Sequence, residues 1–315
     1  MTDGPYPGVS PEPDQLGARA AARDRARELR DLHKQQDRRR RMIVQGFVAL
    51  GVLVVVAVVV LVLILPRTQT RGPLNMLSDG IKIGEGLKAV QTPGQKPGQD
   101  PVPSPANPPE VVDIQIYIDY LCTECGLFEA SNGPQLRSWA DTGAATVEFH
   151  PVSMLTTQSA GTQYSLRAAA LAACVADRSP DHYFDLHDAL LTDPPKEGSP
   201  GLSDDEMLDR AEAAGVTAMG QIRRCVQENT FKTWVKEATS RALDGPLPNS
   251  ELKQIDAPLV ILVNGEQFKP SADFDPTELA QFVVQAAGDA FSSNPTPTPT
   301  PGATDGATPS PTPED

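Results

Sequence analysis

The feature that most constrains the fold is a pair of cysteines, three residues apart, at a predicted strand-to-helix junction. Residues 111–118 alternate apolar and polar side chains, which indicates a β-strand. Cys122 and Cys125 follow the strand, and a helix-compatible segment continues through Phe128 and Leu136. Unpaired N–H groups and the dipole at a helix N-terminus favour an anion. The pKa of the Cys122 thiol should therefore be lowered, and Cys125 should lie close enough to resolve a mixed disulfide.

A long apolar segment near the N-terminus predicts a membrane anchor. Residues 46–65 contain no polar side chain, and these 20 residues are about the length that crosses a bilayer. Four consecutive arginines at residues 38–41 precede the run, so the positive-inside rule places residues 1–42 in the cytoplasm. A cleaved signal peptide is the alternative, but the preceding segment and the apolar core are too long for one. We expect a signal-anchor transmembrane helix at residues 43–65 of a single-pass cell-membrane protein, with the rest extracytoplasmic.

The predicted compartment favours disulfides over a zinc site for the cysteines, and the net charge argues against one class of partner. Zinc sites share the Cys-x-x-Cys spacing, so the motif alone leaves a metal site open. All four cysteines follow the predicted anchor, and an even number in an oxidising compartment suits disulfides better than zinc. Residues 1–42 carry 10 Lys/Arg and 7 Asp/Glu, whereas the remainder carries 17 and 34, a balance of −17. This acidic body argues against nucleic acid as a partner.

Composition divides the chain into segments. Prolines number 31, and aromatic residues make up only 5%, which indicates that part of the chain lies outside a packed core. We expect a partly disordered cytoplasmic tail at residues 1–42 and a Pro/Gly-rich linker at residues 66–108, with a possible edge strand or hairpin at residues 79–90. A folded domain should occupy residues 109–290. The Thr/Pro-rich residues 291–315 should be a disordered tail.

Periodicity and capping signals predict the remaining elements. Asn264-Gly265 between two strand-like pieces indicates a hairpin, Ser203 with Glu206 a capping box, and Asp275 before a proline a helix start. The predicted strands are residues 144–152 and 257–268, and the predicted helices are residues 164–175, 182–191, from 203, 219–243 and from 275.

This order of elements resembles the DsbA-like branch of the thioredoxin superfamily over about residues 109–290. The resemblance rests on two segments more than 130 residues apart, Tyr120–Phe128 around the cysteines and Ala257–Gly265. It implies an α/β thioredoxin-like fold with an all-helical domain inserted at about residues 155–250, after the predicted transmembrane helix. It also implies a thiol–disulfide oxidoreductase without a cofactor.

The resemblance also implies roles for individual residues. Cys122 would be the exposed nucleophile and Cys125 the buried resolving thiol. Ala257 and Pro258 would form the active-site loop, in which a cis Ala257–Pro258 bond leaves the backbone open to a substrate strand. An ordinary trans proline at the start of an edge strand is the alternative. Relatives often have Thr before this proline, so Ala257 removes a hydroxyl near the sulfurs.

Thr123 and Glu124, between the cysteines, should tune the redox chemistry. Relatives commonly have histidine at the position of Glu124. A carboxylate there disfavours the Cys122 thiolate and raises the pKa of its thiol. We therefore expect a weaker oxidant than relatives with histidine, unless Glu124 points into water.

Cys174 and Cys225 lie on two different predicted helices and should form a structural disulfide that closes a loop of about 50 residues. Two free buried thiols, or a second catalytic pair, are the alternatives. His182 and His187 lie among aspartates, which is more typical of an acidic helix surface than of a metal site. We therefore predict no metal ligands.

The combined interpretation is a membrane-anchored enzyme that forms disulfides in secreted or envelope proteins. Its partners would be the substrate thiols and a DsbB-like or vitamin K epoxide reductase-like membrane protein that reoxidises it. A disulfide reductase or isomerase, a redox-silent thioredoxin-like binding module and a zinc protein are the alternatives.

Overall fold

The computed structural model describes Met42, residues 45–56 and residues 71–293, and the chain divides after Arg67 into two units. The first unit contains a helix at residues 45–56 (α1). Within the described residues, no helix is both long enough and apolar enough to span a bilayer. The anchor predicted at residues 43–65 extends beyond the described helix at residues 45–56 on both sides, so the anchor stays a prediction. The predicted tail at residues 1–42, apart from Met42, also lies outside the described residues. Of the tail predicted at residues 291–315, residues 291–293 belong to a helix, and residues 294–315 lie outside the described residues.

A mixed sheet forms the centre of the second unit. Within residues 71–293, six strands are arranged in the order β2-β1-β4-β3-β5-β6. β3 and β4 are parallel, and the other neighbouring strands are antiparallel. The strands are β1 (Ile81–Gly84), β2 (Lys88–Ala89), β3 (Val112–Ile118), β4 (Ala145–Pro151), β5 (Leu259–Val263) and β6 (Glu266–Phe268). The central strand β3 is almost wholly buried, and the dithiol follows shortly after its C-terminal end.

Helices pack on this sheet, and those between β4 and β5 form the predicted helical insertion. Between β4 and β5 the described chain has five α-helices, and α3 is the most enclosed, with 12 of its 15 residues buried. Its many alanines allow neighbouring helices to pack closely. The helices are α2 (Thr123–Thr142), α3 (Tyr164–Arg178), α4 (Tyr183–Leu191), α5 (Asp204–Ala213), α6 (Met219–Gln227), α7 (Lys232–Asp244) and α8 (Pro276–Ser293).

The local capping and turn predictions are confirmed. Asn264 and Gly265 both have positive φ (49° and 85°) and join β5 to β6 as a two-residue hairpin. Ser203 and Glu206 form a reciprocal capping box at the start of α5. The Asp275 carboxylate accepts the Thr277 N–H at 2.9 Å at the start of α8. These signals involve residues close in sequence, so no tertiary contact overrides them.

The prediction of one helix over residues 219–243 is wrong. The chain forms α6 and α7 instead, separated at residues 228–231. Asn229 has φ 53°, a left-handed conformation that ends a helix, and asparagine tolerates it better than most residues. Because both helices keep their apolar faces inward, the hydrophobic pattern alone did not reveal the break.

Residues 71–106 of the predicted linker, which we call the N-terminal strap, are folded against the domain, and the possible hairpin predicted at residues 79–90 is confirmed. The strap forms β1 and β2 and packs on the domain, where the Asp79 carboxylate accepts two hydrogen bonds of 2.7 Å from Arg241. The Gln95 side chain accepts the indole N–H of buried Trp234 at 3.0 Å. An extended Pro-rich chain leaves its polar groups unpaired within itself, so these side chains can bond to the domain instead.

Candidate active site

The two cysteines of the motif lie at the N-terminus of α2 and form a disulfide with a Cα–Cα distance of 5.2 Å. Cys122 is the N-cap residue, and its sulfur accepts the backbone N–H of Cys125 at 3.0 Å. The same N–H groups would stabilise a Cys122 thiolate once the disulfide is reduced. The site therefore has the geometry that the strand-to-helix junction predicts.

Cys122 is not exposed in this oxidised structure, contrary to the expectation. Its residue surface is 1% exposed, and that of Cys125 is fully buried. The Cys122 sulfur is turned inward because it is bonded to the buried Cys125 sulfur and to the Cys125 N–H. The neighbouring Thr123 and Glu124, between the two cysteines in sequence, are exposed.

Pro258 lies against the dithiol, but the predicted cis bond at Ala257–Pro258 is wrong. Among the described residues, the cis peptide bond is Gly245–Pro246. The Pro258 carbonyl lies 3.5 Å from Cys125 Sγ and accepts the Asp119 N–H at 3.1 Å. Because β5 begins at Leu259 and pairs with β3, a trans bond keeps the chain extended into the strand. The carbonyl can accept the thiol of Cys125 in the reduced protein.

Asp119 is a buried acid in the turn before Cys122 that the sequence did not predict, and its backbone carbonyl accepts the Cys122 N–H at 3.0 Å. It follows β3, and its carboxylate accepts the N–H groups of Leu121 and Leu155, each at 2.9 Å, and the Ser165 hydroxyl at 2.7 Å. Burial raises the pKa of Asp119, although these hydrogen bonds act in the opposite direction. Asp119 thus fixes the turn that carries Cys122. A charged residue directly after an apolar strand was the available signal.

Glu197 is a second acid that the sequence analysis missed. It lies in the loop between α4 and α5 (residues 192–203, the α4–α5 loop), and its carboxylate accepts the Thr123 N–H at 3.2 Å. The two residues are 74 positions apart, and no sequence signal links them. The loop therefore brings a negative charge to the first turn of the helix that carries the dithiol.

A cleft of about 670 Å³ runs beside α2 from Thr123, between the helix and the α4–α5 loop. Glu129 on its wall contacts His187 at 3.2 Å, and His187 also contacts the Tyr120 hydroxyl at 3.3 Å. Burial, together with the charge of Glu129, raises the pKa of Asp188 to about 6.

His187 is fully buried, so its predicted place on an acidic helix surface is wrong. Within the described residues, no group of three or more His, Cys, Asp or Glu residues could hold a metal ion.

Cys174 and Cys225, the predicted structural pair, form a disulfide that joins α3 to α6 with a Cα–Cα distance of 6.0 Å. Cys174 is buried, and Cys225 is 8% exposed. The described chain contains no free cysteine.

Comparisons with known proteins agree with this geometry. Residues 107–277 match the family model described as thioredoxin. The chain is similar to the solved structure of a disulfide bond oxidoreductase (DsbG) from Mycobacterium tuberculosis, with 26% sequence identity and a TM-score of 0.51. The alignment covers 67% of this chain and 89% of the DsbG chain. The structure of oxidised DsbA from M. tuberculosis has 25% sequence identity and a TM-score of 0.50, and the alignment covers 68% of this chain and 98% of the DsbA chain. No curated protein sequence matches significantly.

Proposed function

The chain belongs to the thioredoxin family, and from this premise we propose that it is a membrane-anchored, extracytoplasmic enzyme that forms disulfides in secreted or envelope proteins. It is a DsbA-like thiol–disulfide oxidoreductase, as are its structural neighbours. One observation carries the proposal: a Cys122–Cys125 disulfide at the start of α2, with the Pro258 carbonyl 3.5 Å from Cys125 Sγ.

The reaction follows from the position of the two sulfurs. A substrate thiolate attacks Cys122 Sγ, the Cys122–Cys125 bond breaks, and the Cys125 sulfur leaves with the electron pair and takes up a proton. A second substrate thiolate attacks the substrate sulfur of the mixed disulfide and releases Cys122 as a thiolate. The substrate thereby loses two electrons, and the Cys122–Cys125 pair gains them.

The surrounding backbone stabilises the reduced pair. The N–H groups at the start of α2 bind the Cys122 thiolate, which makes it a good leaving group. The Pro258 carbonyl can accept the Cys125 thiol. Because Cys122 is buried in the oxidised form, the exposed surface at Thr123 must open as a substrate approaches.

The location and the partners are part of the proposal. The apolar residues 46–65 and the arginines at 38–41 support an anchor with the catalytic domain outside the cytoplasm. A two-electron acceptor must restore the disulfide after each turnover. A DsbB-like or vitamin K epoxide reductase-like membrane protein would fit this role. Protease treatment of intact spheroplasts tests the topology, because only an extracytoplasmic domain would be degraded.

The direction of the reaction is tested with the full-length protein in detergent. We expect the oxidised protein to introduce disulfides into reduced, unfolded pancreatic ribonuclease, measured as loss of free thiols and recovery of ribonuclease activity. Cys122→Ala should abolish this oxidation, whereas the double variant Cys174→Ser/Cys225→Ser should retain it. A redox-silent binding module would leave the substrate thiols unchanged. A reductase would instead reduce insulin more readily than it oxidises ribonuclease.

A further inference from the structure

The α4–α5 loop places the carboxylate of Glu197 beside the dithiol. Glu197 accepts the N–H of Thr123, the first residue of α2 and the neighbour of Cys122. This N–H belongs to the helix N-terminus, whose positive field would otherwise act only on the Cys122 thiolate. A carboxylate at this position opposes that field.

The position of Glu197 is determined by packing on both sides of it. The next residue, Gly198, donates its N–H to the Gln158 carbonyl at 2.7 Å. Earlier in the loop, Pro194 lies directly over Gly126 of α2, where a Cβ atom would come within 2.6 Å of Pro194 Cγ. Arg210 of α5 donates to the Thr192 carbonyl at 2.9 Å. The loop is therefore fixed against the active-site helix rather than free in solvent.

Negative charge predominates around the pair. Asp119 lies in the turn before Cys122, and the charge of Glu197 contributes to the raised pKa of this acid after the larger effect of burial. The charge of Glu197 thus extends into the site. Within the described residues, neither Glu124 nor Glu197 forms an ion pair with a cationic side chain. Acids outnumber bases on the two elements that meet at the pair. The α4–α5 loop carries Asp193, Lys196 and Glu197, and α2 carries Glu124, Glu129, Arg137 and Asp141.

We propose that Glu197 tunes the redox chemistry of the Cys122–Cys125 pair by disfavouring the Cys122 thiolate, and so holds the pair at a lower reduction potential than the helix N-terminus alone would set. The inference rests on the proposed function, in which this pair exchanges with substrate thiols. Glu197 does not touch the reacting sulfurs in this structure and is a positioning residue.

The direction follows from charge. The disulfide is neutral, whereas the reduced pair carries a thiolate near neutral pH. A nearby carboxylate raises the free energy of the thiolate and leaves that of the disulfide nearly unchanged, so the oxidised form becomes more stable relative to the reduced form. The interaction between the two charges weakens with their separation and is screened by salt, so we expect a shift of modest size.

The test is Glu197→Gln in the full-length protein, because the amide oxygen can still accept the Thr123 N–H while the charge is removed. We expect the acid dissociation constant of Cys122 to rise about threefold to tenfold, measured from the ultraviolet absorbance of the thiolate. The equilibrium constant for oxidation of glutathione should rise by up to the same factor. A tenfold rise corresponds to about 30 mV. Added salt should reduce both differences.

Glu212→Gln is the matched control, since Glu212 is an exposed glutamate on α5. Equal shifts in both variants would assign the effect to net charge and overturn the inference. If the wild-type pair exchanges with glutathione but Glu197→Gln has the same pKa and equilibrium constant, the inference fails and the proposed function stands. If the wild-type pair does not exchange with glutathione, the proposed function itself fails.

Discussion

The carboxylate of Glu124 lies in the first turn of α2, two residues after Cys122, and is exposed. We predict that Glu124→Gln lowers the pKa of the Cys122 thiol and makes the pair a stronger oxidant, because a negative charge next to the thiolate is removed. Each pKa unit is about 1.4 kcal/mol, or roughly 30 mV for this two-electron couple. Titration of the thiolate absorbance against wild type measures the shift, and an unchanged pKa would show that Glu124 points into water.

His150, at the end of β4, is a second residue with a pH-dependent role. It is 2% exposed, its ring stacks on Tyr117 with centroids 4.3 Å apart, and its Nε2 atom lies 3.7 Å from the Glu148 carboxylate. Burial lowers the pKa of His150, although Glu148 and Asp79 act in the opposite direction. The folded protein therefore keeps this side chain neutral at a pH where the unfolded chain is protonated.

We predict that the wild type loses stability relative to His150→Phe as the pH falls below about 6.5, the ordinary histidine value. Below that pH the unfolded chain binds a proton that the folded chain excludes, so the free energy of unfolding decreases by up to about 1.4 kcal/mol per pH unit. Above it, neither state binds the proton and the difference is constant. Urea unfolding of both proteins between pH 5 and 8 measures this; parallel pH profiles would contradict it.

The contact between α2 and the α4–α5 loop depends on a glycine. At Gly126, a Cβ atom would lie 2.6 Å from Pro194 Cγ and 3.3 Å from the Leu191 carbonyl oxygen. We predict that Gly126→Ala displaces the loop and destabilises the protein by about 1 to 3 kcal/mol, the usual cost of overpacking. Gly220→Ala in α6 is the control, because nothing lies within 4 Å of its Cβ position. Denaturant unfolding should show a loss only for Gly126→Ala.

The disulfide between α3 and α6 joins residues 51 positions apart. We predict that Cys174→Ser/Cys225→Ser lowers the free energy of unfolding by about 4 kcal/mol, because the unfolded chain regains the entropy of an open loop of this length. Oxidation of reduced ribonuclease should continue below the lowered unfolding temperature. Loss of oxidation in a variant that is still folded would mean that this pair takes part in electron transfer.

For the whole molecule, the question is whether the N-terminal strap contributes to stability. The buried Asp79 carboxylate pairs with Arg241, and Asp79 has φ 67°, which asparagine also tolerates. We predict that Asp79→Asn costs about 2 kcal/mol, less than a fully buried pair because Arg241 is partly exposed. Lys88→Gln, in the exposed pair with Asp181, should cost less than about 1 kcal/mol. Urea unfolding measures both variants. Equal losses of unfolding free energy in Asp79→Asn and Lys88→Gln would contradict a stabilising contact between the strap and Arg241.

The features that the sequence predicts correctly involve neighbouring residues. The alternation before Cys122, the Asn264-Gly265 turn and the capping box at Ser203 each arise from residues a few positions apart. The proline-rich composition predicted a linker at residues 66–108, but composition does not reveal whether a linker is free or packed on the domain. That depended on partners such as Arg241 and Trp234, more than 100 positions away.

The sequence by itself determined the strand, the dithiol and the helix that follows, because backbone propensity, side-chain period and helix capping are local effects. Only the tertiary structure decided what surrounds the sulfurs. The Pro258 carbonyl lies near Cys125, the buried Asp119 accepts the Leu155 N–H, and the Glu197 carboxylate accepts the Thr123 N–H. These contacts join segments up to 133 residues apart, between Cys125 and Pro258. Their geometry depends on how the helical insertion and β5 pack against β3, and no local pattern specifies that packing.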